Sequence, residues 1–350
     1  MQPAPIDLRP FREGDDADRR RVARQFDEAG RRSGFFAVTG HGVDPDLIDE
    51  MLAVTTAFFD LRAEDKMACY LPDRALNRGY APEGSEALAY SLGERDLPND
   101  LFEAYNIGRD LTAVQLADPY FADQRARYFA ENVWPSVPAG MRAIWLAYWD
   151  SAERVAADIM DAAALALDLP EGWFRPFVDR SPSVMRANNY QRRADAPDVE
   201  PGQMRMGAHT DYGSITVLLA DRVPGLQIRD DAGVWNDVLP PEDGFLVNVG
   251  DLLAEWTNDR WRSTLHRVVP PAGVADGPVR RRSIAWFQQP NWDALIRCLP
   301  TCCDAANPPR YGEVTSGEHL LAKLMGPRML RPSERSAAYV TSGPHEAPTG

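Results

Sequence analysis

The sequence predicts an α+β protein in which a mainly helical first half wraps a β core, a sandwich or barrel, in the second. Two features carry that expectation. The long segments with apolar residues at helical spacing all lie ahead of residue 180. From Ser183 onward, short β-branched and apolar runs alternate with turn residues: VMRANNY, SITVLLA, GLQIRD, VWNDVL, GFLVNVG, HRVV and RSIAWF. Short strands at close spacing indicate a closed or two-layered β structure.

Taken in order, IDLRPF reads as a short opening strand, and Asp15 to Arg32 as a charged helix with spaced apolar positions. GFFAVTGHGV is a strand, with aromatic and β-branched residues between glycines. Pro45 to Phe59 has the pattern of an amphipathic helix, and the polar, Gly- and Pro-rich stretch from Pro72 to Asn99 reads as loops. Met141 to Leu167 predicts a long helix that buries Ile144, Val155, Ile159 and Leu165 and stops at Pro170. Gly317 to Met325 is expected to be helical, and the tail ending SGPHEAPTG to be disordered.

A chain of 350 residues with 44% hydrophobic content suffices for one enlarged β domain or two packed subdomains. The net charge of −14 argues against nucleic acid and against an anionic membrane surface as partners. No apolar run reaches the length of a membrane span, and MQPAPIDLRPF lacks the basic and apolar regions of a signal peptide, so a cytoplasmic location is expected. Three of the four cysteines, Cys298, Cys302 and Cys303, fall in RCLPTCC; adjacent cysteines beside a proline suit a loop with reduced, incidental thiols better than a metal site. Oligomeric state is left open.

MGAHTDYGSITVLLAD places His209 and Asp211 two residues apart at the lip of an apolar run. In extended chain, residues i and i+2 share a face, so imidazole and carboxylate converge. His-x-Asp alone arises often by accident. His266, opening the run HRVV, supplies a second imidazole, and two histidines with one carboxylate form the facial triad that binds non-haem Fe(II) and leaves positions open. Arg281 and Ser283, in RRRSIAWF, also share one face. A guanidinium fork and a hydroxyl buried in a β core need an anionic partner, while Arg280 and Arg282 should face the other way. Other candidates have plainer readings. His41 in TGHGV suits a structural role, His319 and His345 the surface, and Arg186 a buried structural arginine; the nine tryptophans suit the core.

With these residues in order, the chain resembles the Fe(II)/2-oxoglutarate-dependent oxygenases of the isopenicillin N synthase-like family over roughly residues 6–325. The resemblance runs through IDL, GFFAVTGHGV, FFDLRAEDKM and NRGYAPEG, then GAHTDYGSITVLLAD, GLQIRDDAGVWNDV, LVNVGDLLAEWTN, STLHRVV and RRSIAWFQQPN. It implies a double-stranded β-helix, or jelly roll, over 181–330, a helical region of the non-haem dioxygenase type over 1–180, and a flexible tail over 331–350. It puts iron on His209, Asp211 and His266, and the distal carboxylate of 2-oxoglutarate on Arg281 and Ser283. NNYQ supplies the family's asparagine and tyrosine, which places Tyr190 at that same carboxylate and Asn188 near the chelating end. Gln191 and Arg192 stand where the family often has proline, a departure that bears on the local loop path. The implied reaction consumes dioxygen and 2-oxoglutarate, releases succinate and carbon dioxide, and oxidises, most simply hydroxylates, a small organic substrate. In the family the substrate is bounded by N-terminal loops and the segment after the RxS strand, which here include Asn77 to Leu92, Leu101 to Ile107 and Phe287 to Trp292; Phe102, Tyr105, Asn106 and Phe287 are the candidate lining residues.

Four other readings are open at this level. An oxidase like isopenicillin N synthase would use Arg281 and Ser283 for a substrate carboxylate and need no 2-oxoglutarate. A 2-oxoglutarate-consuming, ethylene-forming variant would share the whole site. A Zn(II) hydrolase would need a general base and would leave the arginine and serine unexplained. A non-catalytic jelly-roll binding module would purify without metal.

Overall fold

The computed structural model describes residues 5–94, 96–191, 200–269 and 280–325. The strands are β1 (Pro5–Asp7), β2 (Phe35–Thr39), β3 (Gly79–Ala81), β4 (Glu103–Gly108), β5 (Val184–Asn189), β6 (Met206–His209), β7 (Ile215–Ala220), β8 (Leu226–Arg229), β9 (Trp235–Asp237), β10 (Gly244–Val249), β11 (His266–Val268), β12 (Arg282–Gln288), β13 (Leu295–Ile296) and β14 (Val314–Thr315). The helices are α1 (Arg9–Glu13), α2 (Asp16–Arg32), α3 (Pro45–Phe59), α4 (Ala63–Met67), α5 (Ala113–Ala117), α6 (Pro119–Ala122), α7 (Met141–Ala166), α8 (Asp251–Trp256) and α9 (Ser316–Met325).

Eight strands form a large sheet in the order β1-β2-β10-β7-β12-β5-β4-β3, and four form a small one, β6-β11-β8-β9. β1 pairs in parallel with β2; the other large-sheet neighbours are antiparallel. Alternation along each large-sheet strand separates two apolar layers. One face, with Phe36, Val38, Val217, Phe245, Val247, Ile284 and Trp286, packs under the helices, against Phe26, Phe58, Trp145, Trp149 and Ile159. The other, with Phe35, Ala37, Tyr190 and Leu246, closes on Met206, Leu226, Ile228 and Val268 of the small sheet. The two facing sheets make the jelly roll, and their inner faces pack against each other.

Local chemistry sets the helix ends. Asp15 caps α2, its carboxylate accepting from the N–H groups of Ala17 and Asp18, and Asp44 caps α3 just ahead of Pro45. The long helix ends at Ala166, before Pro170 can act, because Asp168 turns left-handed (φ 58°) and the Leu169 N–H donates back to the Ala164 carbonyl at 2.9 Å. Its buried stripe also differs from expectation. Val155 and Ile159 are buried with Trp145, Trp149, Ala152 and Ala156, whereas Ile144 and Leu165 lie half-buried at its margin.

The larger difference is in strand content. β1 and β2 are the strands expected in the first half, but β3 and β4 lie in stretches that read as loops. EAYNIG shows no clean apolar/polar alternation because the strand is buried on both faces, which removes the polar half of the pattern.

Candidate active site

His266 of β11 is the direct cross-strand partner of His209 of β6. Their side chains therefore leave the small sheet together, ring centroids 4.2 Å apart. Each Nδ1 sits against a carbonyl two residues back, Gly207 at 2.9 Å for His209 and Thr264 at 3.0 Å for His266. With the proton held on Nδ1, both Nε2 lone pairs turn inward, toward Asp211 Oδ1 at 3.8 and 3.7 Å. The three donor atoms lie within 4.8 Å of one another, and all three residues are buried.

Asp211 sits on the turn after β6. Its other oxygen, Oδ2, accepts from Thr216 Oγ1 and from Asn248 Nδ2 at 2.7 Å. Thr216 and Asn248 are themselves cross-strand partners on β7 and β10, so the large sheet orients the carboxylate. Burial alone would raise the Asp211 pKa; the two histidines and these two donors outweigh it and hold it below the ordinary value. Burial, and next the neighbouring His266, hold the His209 imidazole well below its ordinary value, so it is neutral and able to ligate. The turn passes close to the large sheet at Gly213, where a Cβ would lie 2.2 Å from the Gln288 carbonyl oxygen. Phe35 of β2 meets the His266 ring edge-on at 5.4 Å.

The cavity also contains Arg281, Ser283, Asn188 and Tyr190. Ser283 and Asn188 are cross-strand partners on β12 and β5, with Asn188 Nδ2 at 3.4 Å from Ser283 Oγ. The Tyr190 ring lies 5.1 Å from the Arg281 guanidinium, and its hydroxyl points at Met206 Sδ. Arg280 and Arg282 turn to the helical side as the alternation requires, to Asp60 and to Asp221 with Thr56. Arg281 is 1% exposed, and its Nε and Nη1 have no hydrogen-bond partner among the described residues. A guanidinium desolvated this completely requires an anion.

The four substrate-lining candidates separate. Phe287 lines the cavity. Phe102 stands behind the wall, its ring 5.0 Å from the Arg186 guanidinium. Tyr105 does not face the site: it projects into the helical layer between Phe58 and Trp145 and donates to the Val133 carbonyl. Asn106 has the inward parity but is buried toward edge strand β3, with Nδ2 at 3.4 Å from the Gly79 carbonyl, and is not in the cavity wall. Once residues 103–108 form a strand, alternation decides these positions.

Glu86, Leu88 and Gln289 of the wall fall within the expected substrate-bounding stretches without having been singled out, whereas Tyr212 and Leu320, with Thr216 and Asn248 behind Asp211, escaped the sequence reading. Arg186, read as a buried structural arginine, is also in the wall. Thr216 and Asn248 carried a signal, since each interrupts an apolar strand at a site-facing position. Glu86 carried none, because its partner lies far along the chain. His41 is outside the wall; its ring rests on Phe245 and its Nδ1 accepts from the Val43 N–H. His319 is not the surface residue expected: it is largely buried on α9 beside Asp251 and Glu255. His345 and the tail lie outside the described residues. The four cysteines are free; the Sγ atoms of Cys298 and Cys303 both approach the Leu299 carbonyl at 3.5 Å.

Comparison with known proteins agrees with this chemistry. Residues 5–137 match the family model described as the N-terminal region of non-haem dioxygenases in morphine synthesis, and residues 182–290 match the 2OG-Fe(II) oxygenase superfamily. The chain is 34% identical over 317 residues to the 2-oxoglutarate-Fe(II) type oxidoreductase hxnY of Emericella nidulans, covering 89% of this chain and 86% of that protein. It is 29% identical to the homoarginine-6-hydroxylase 2-ODD-233 of Oryza sativa subsp. japonica, covering 89% and 90%. Among solved structures, a full-length Neurospora crassa protein in complex with α-ketoglutarate superposes with a TM-score of 0.80 at 30% identity, over 92% of this chain and 96% of that one. The same Neurospora crassa protein with α-ketoglutarate and thymine gives 0.79 at 29% identity, over 93% and 96%. The inward-facing His, Asp, His donor set and the buried, anion-seeking Arg281 fit that family's chemistry, and the chain belongs to the 2-oxoglutarate-Fe(II) oxygenase superfamily as a non-haem iron, 2-oxoglutarate-dependent oxidoreductase.

Proposed function

We propose that the protein hydroxylates a small organic molecule, with His209, Asp211 and His266 holding Fe(II) and with Arg281, Ser283 and Tyr190 holding the distal carboxylate of 2-oxoglutarate. Asn188 lies toward the chelating end of the cosubstrate. When bound, iron and 2-oxoglutarate supply dioxygen-driven oxidation of a C–H bond with release of succinate and carbon dioxide. The chain supplies everything else. The Gly207 and Thr264 carbonyls fix the imidazole tautomers, Thr216 and Asn248 keep Asp211 ionised and aimed, and the apolar inner faces of both sheets exclude water.

The orphaned Arg281 guanidinium carries this reading. A zinc hydrolase or an empty binding module leaves a buried positive charge with no partner. Among the described residues, no helix is long and apolar enough to cross a membrane, and the cavity lies between the sheets, which suits a small molecule. The experiment is anaerobic titration of the Fe(II) protein with 2-oxoglutarate, followed by its visible charge-transfer band. Appearance of the band, lost in Arg281→Leu at the same concentrations, is the expected result. An oxidase that grips its substrate through Arg281 would show no band with 2-oxoglutarate at any concentration.

A further inference from the structure

Arg186 lies on β5 between the two ends of the site. Its neighbour on β12 is Ala285, whose small side chain leaves room for a guanidinium. Three contacts fix that group. Nε donates to Asn188 Oδ1 at 2.8 Å, Nη2 donates to Glu86 Oε2 at 2.9 Å, and the Phe102 ring covers one face at 5.0 Å. Both members of the ion pair are nearly buried, with side-chain exposures of 11% and 4%, and both belong to the cavity wall. Nη1 is left over: no described residue accepts from it. A pair serving only the fold would spend its last donors on the protein; this one turns them to the cavity.

The charge balance narrows what those donors serve. Glu86 neutralises Arg186, so this pair offers strong N–H donors to the cavity without a net charge of its own. A carboxylate brought to Arg186 would also meet Glu86, and like charges in a desolvated wall repel. Arg78, another buried arginine of the wall, donates to the carbonyls of Leu76, Asn77, Tyr128 and Ala130. Next along β12, Phe287 is directly opposite Thr216, which holds Asp211, so it forms a floor level with the metal face. Beyond it the Gln289 carboxamide, 5% exposed, lines the wall with Oε1 unpartnered. Leu88, Val184, Leu218 and Leu320 complete an apolar surround.

Resting on the oxygenase reading above, we propose that the substrate is an uncharged molecule carrying a carbonyl or equivalent neutral acceptor. Arg186 holds that acceptor through Nη1, Phe287 supports an apolar body, and the Gln289 amide meets a second polar group. The class is neutral lactams, amides and ketones, not acids or amines.

The test uses four compact probes on the full-length protein by calorimetry and ligand-observed NMR: 2-pyridone, benzoate, benzylamine and toluene. Wild type is expected to bind 2-pyridone at least about tenfold more tightly than the other three, the scale of one well-placed hydrogen bond. Glu86→Gln keeps an acceptor for Nη2 but leaves Arg186 uncompensated, so it should gain benzoate affinity about tenfold and reverse the order. Gln289→Leu should weaken 2-pyridone and leave toluene unchanged. Preference of wild type for benzoate or benzylamine, binding of none of the four, or an unchanged order in Glu86→Gln would each overturn the proposal. The charge preference is read without iron and in the Arg281→Leu background as well as in wild type, so that benzoate held by Arg281 is not counted at Arg186. A protein that binds 2-pyridone as expected but never binds 2-oxoglutarate would sink the oxygenase reading and leave this one standing.

Discussion

The two sheets divide the site unequally. The large sheet is buried on both faces and supplies side chains that brace or grip: Thr216, Asn248, Asn188 and Ser283, with Arg281 at the lead-in to β12. The small sheet has strands of three or four residues, and its outward positions, such as Arg229 and Asp237, are exposed. Yet it carries both histidines, and what steadies them is backbone, a carbonyl two residues behind each ring. On the proposed assignment, stability and cosubstrate grip belong to the thick sheet and metal ligation to the thin one. Asp211, on the turn between them, takes its position from one and its partners from the other.

Substitutions that separate these duties test the comparison, and the largest effect is expected in the thin sheet. His266→Ala should abolish iron-dependent turnover while the melting temperature of the metal-free protein changes little; a variant that still turns over would remove His266 from the metal face. Trp286→Ala, on the helical side of the thick sheet, should do the reverse: a loss of about 3–5 kcal/mol in denaturant unfolding, with Fe(II) affinity kept under conditions where the variant is folded. Arg281→Leu should weaken 2-oxoglutarate by about 3–4 kcal/mol, roughly two to three orders of magnitude, and the cosubstrate-free variant should melt no lower than wild type because an unpaired buried charge is gone. Thr216→Val should lower iron affinity about 10- to 100-fold by loosening Asp211, measured by metal competition.

A further effect, on stability alone and spread over pH, concerns the joint between loop and thin sheet. Asp100 accepts from the N–H groups of Leu88 and Gly207, both at 2.8 Å, and burial pushes its carboxyl up to about 7 against those bonds. The folded state then keeps a proton that the unfolded chain releases near 3.8, so stability should fall as pH rises from about 4 to about 7 and level off above. The slope is at most about 1.4 kcal/mol per pH unit. Melting temperatures across that range should decline in wild type and stay flatter in Asp100→Asn; parallel profiles would mean that the two backbone donors keep Asp100 ionised throughout.

Legibility followed the same division. β7, β10 and β12 are apolar runs in which a polar residue stands out, so the sequence marked both the strands and several of their working positions. His209, Asp211 and His266 were legible because histidine and aspartate at a strand's lip are costly without a purpose. What stayed hidden depends on pairing across the chain. Tyr105 looked like a wall residue until β4 gave it a parity, and Glu86 became part of the site only through Arg186, 100 residues away. His319 looked like a surface residue until α9 settled beside α8.

The placement of β2 bears on the order in which the protein is made. Val38 pairs with Phe245, a partner synthesised about 200 residues later. Until β10 leaves the ribosome, β2 has an open edge on that side and Phe35 has no His266 to rest against. The last large-sheet strand to arrive, β12, fills the gap between β5 and β7, both already made. Nascent chains ending before residue 244 should therefore expose unpaired apolar strands and bind chaperones, and the metal face should form late, as one of the last events of synthesis.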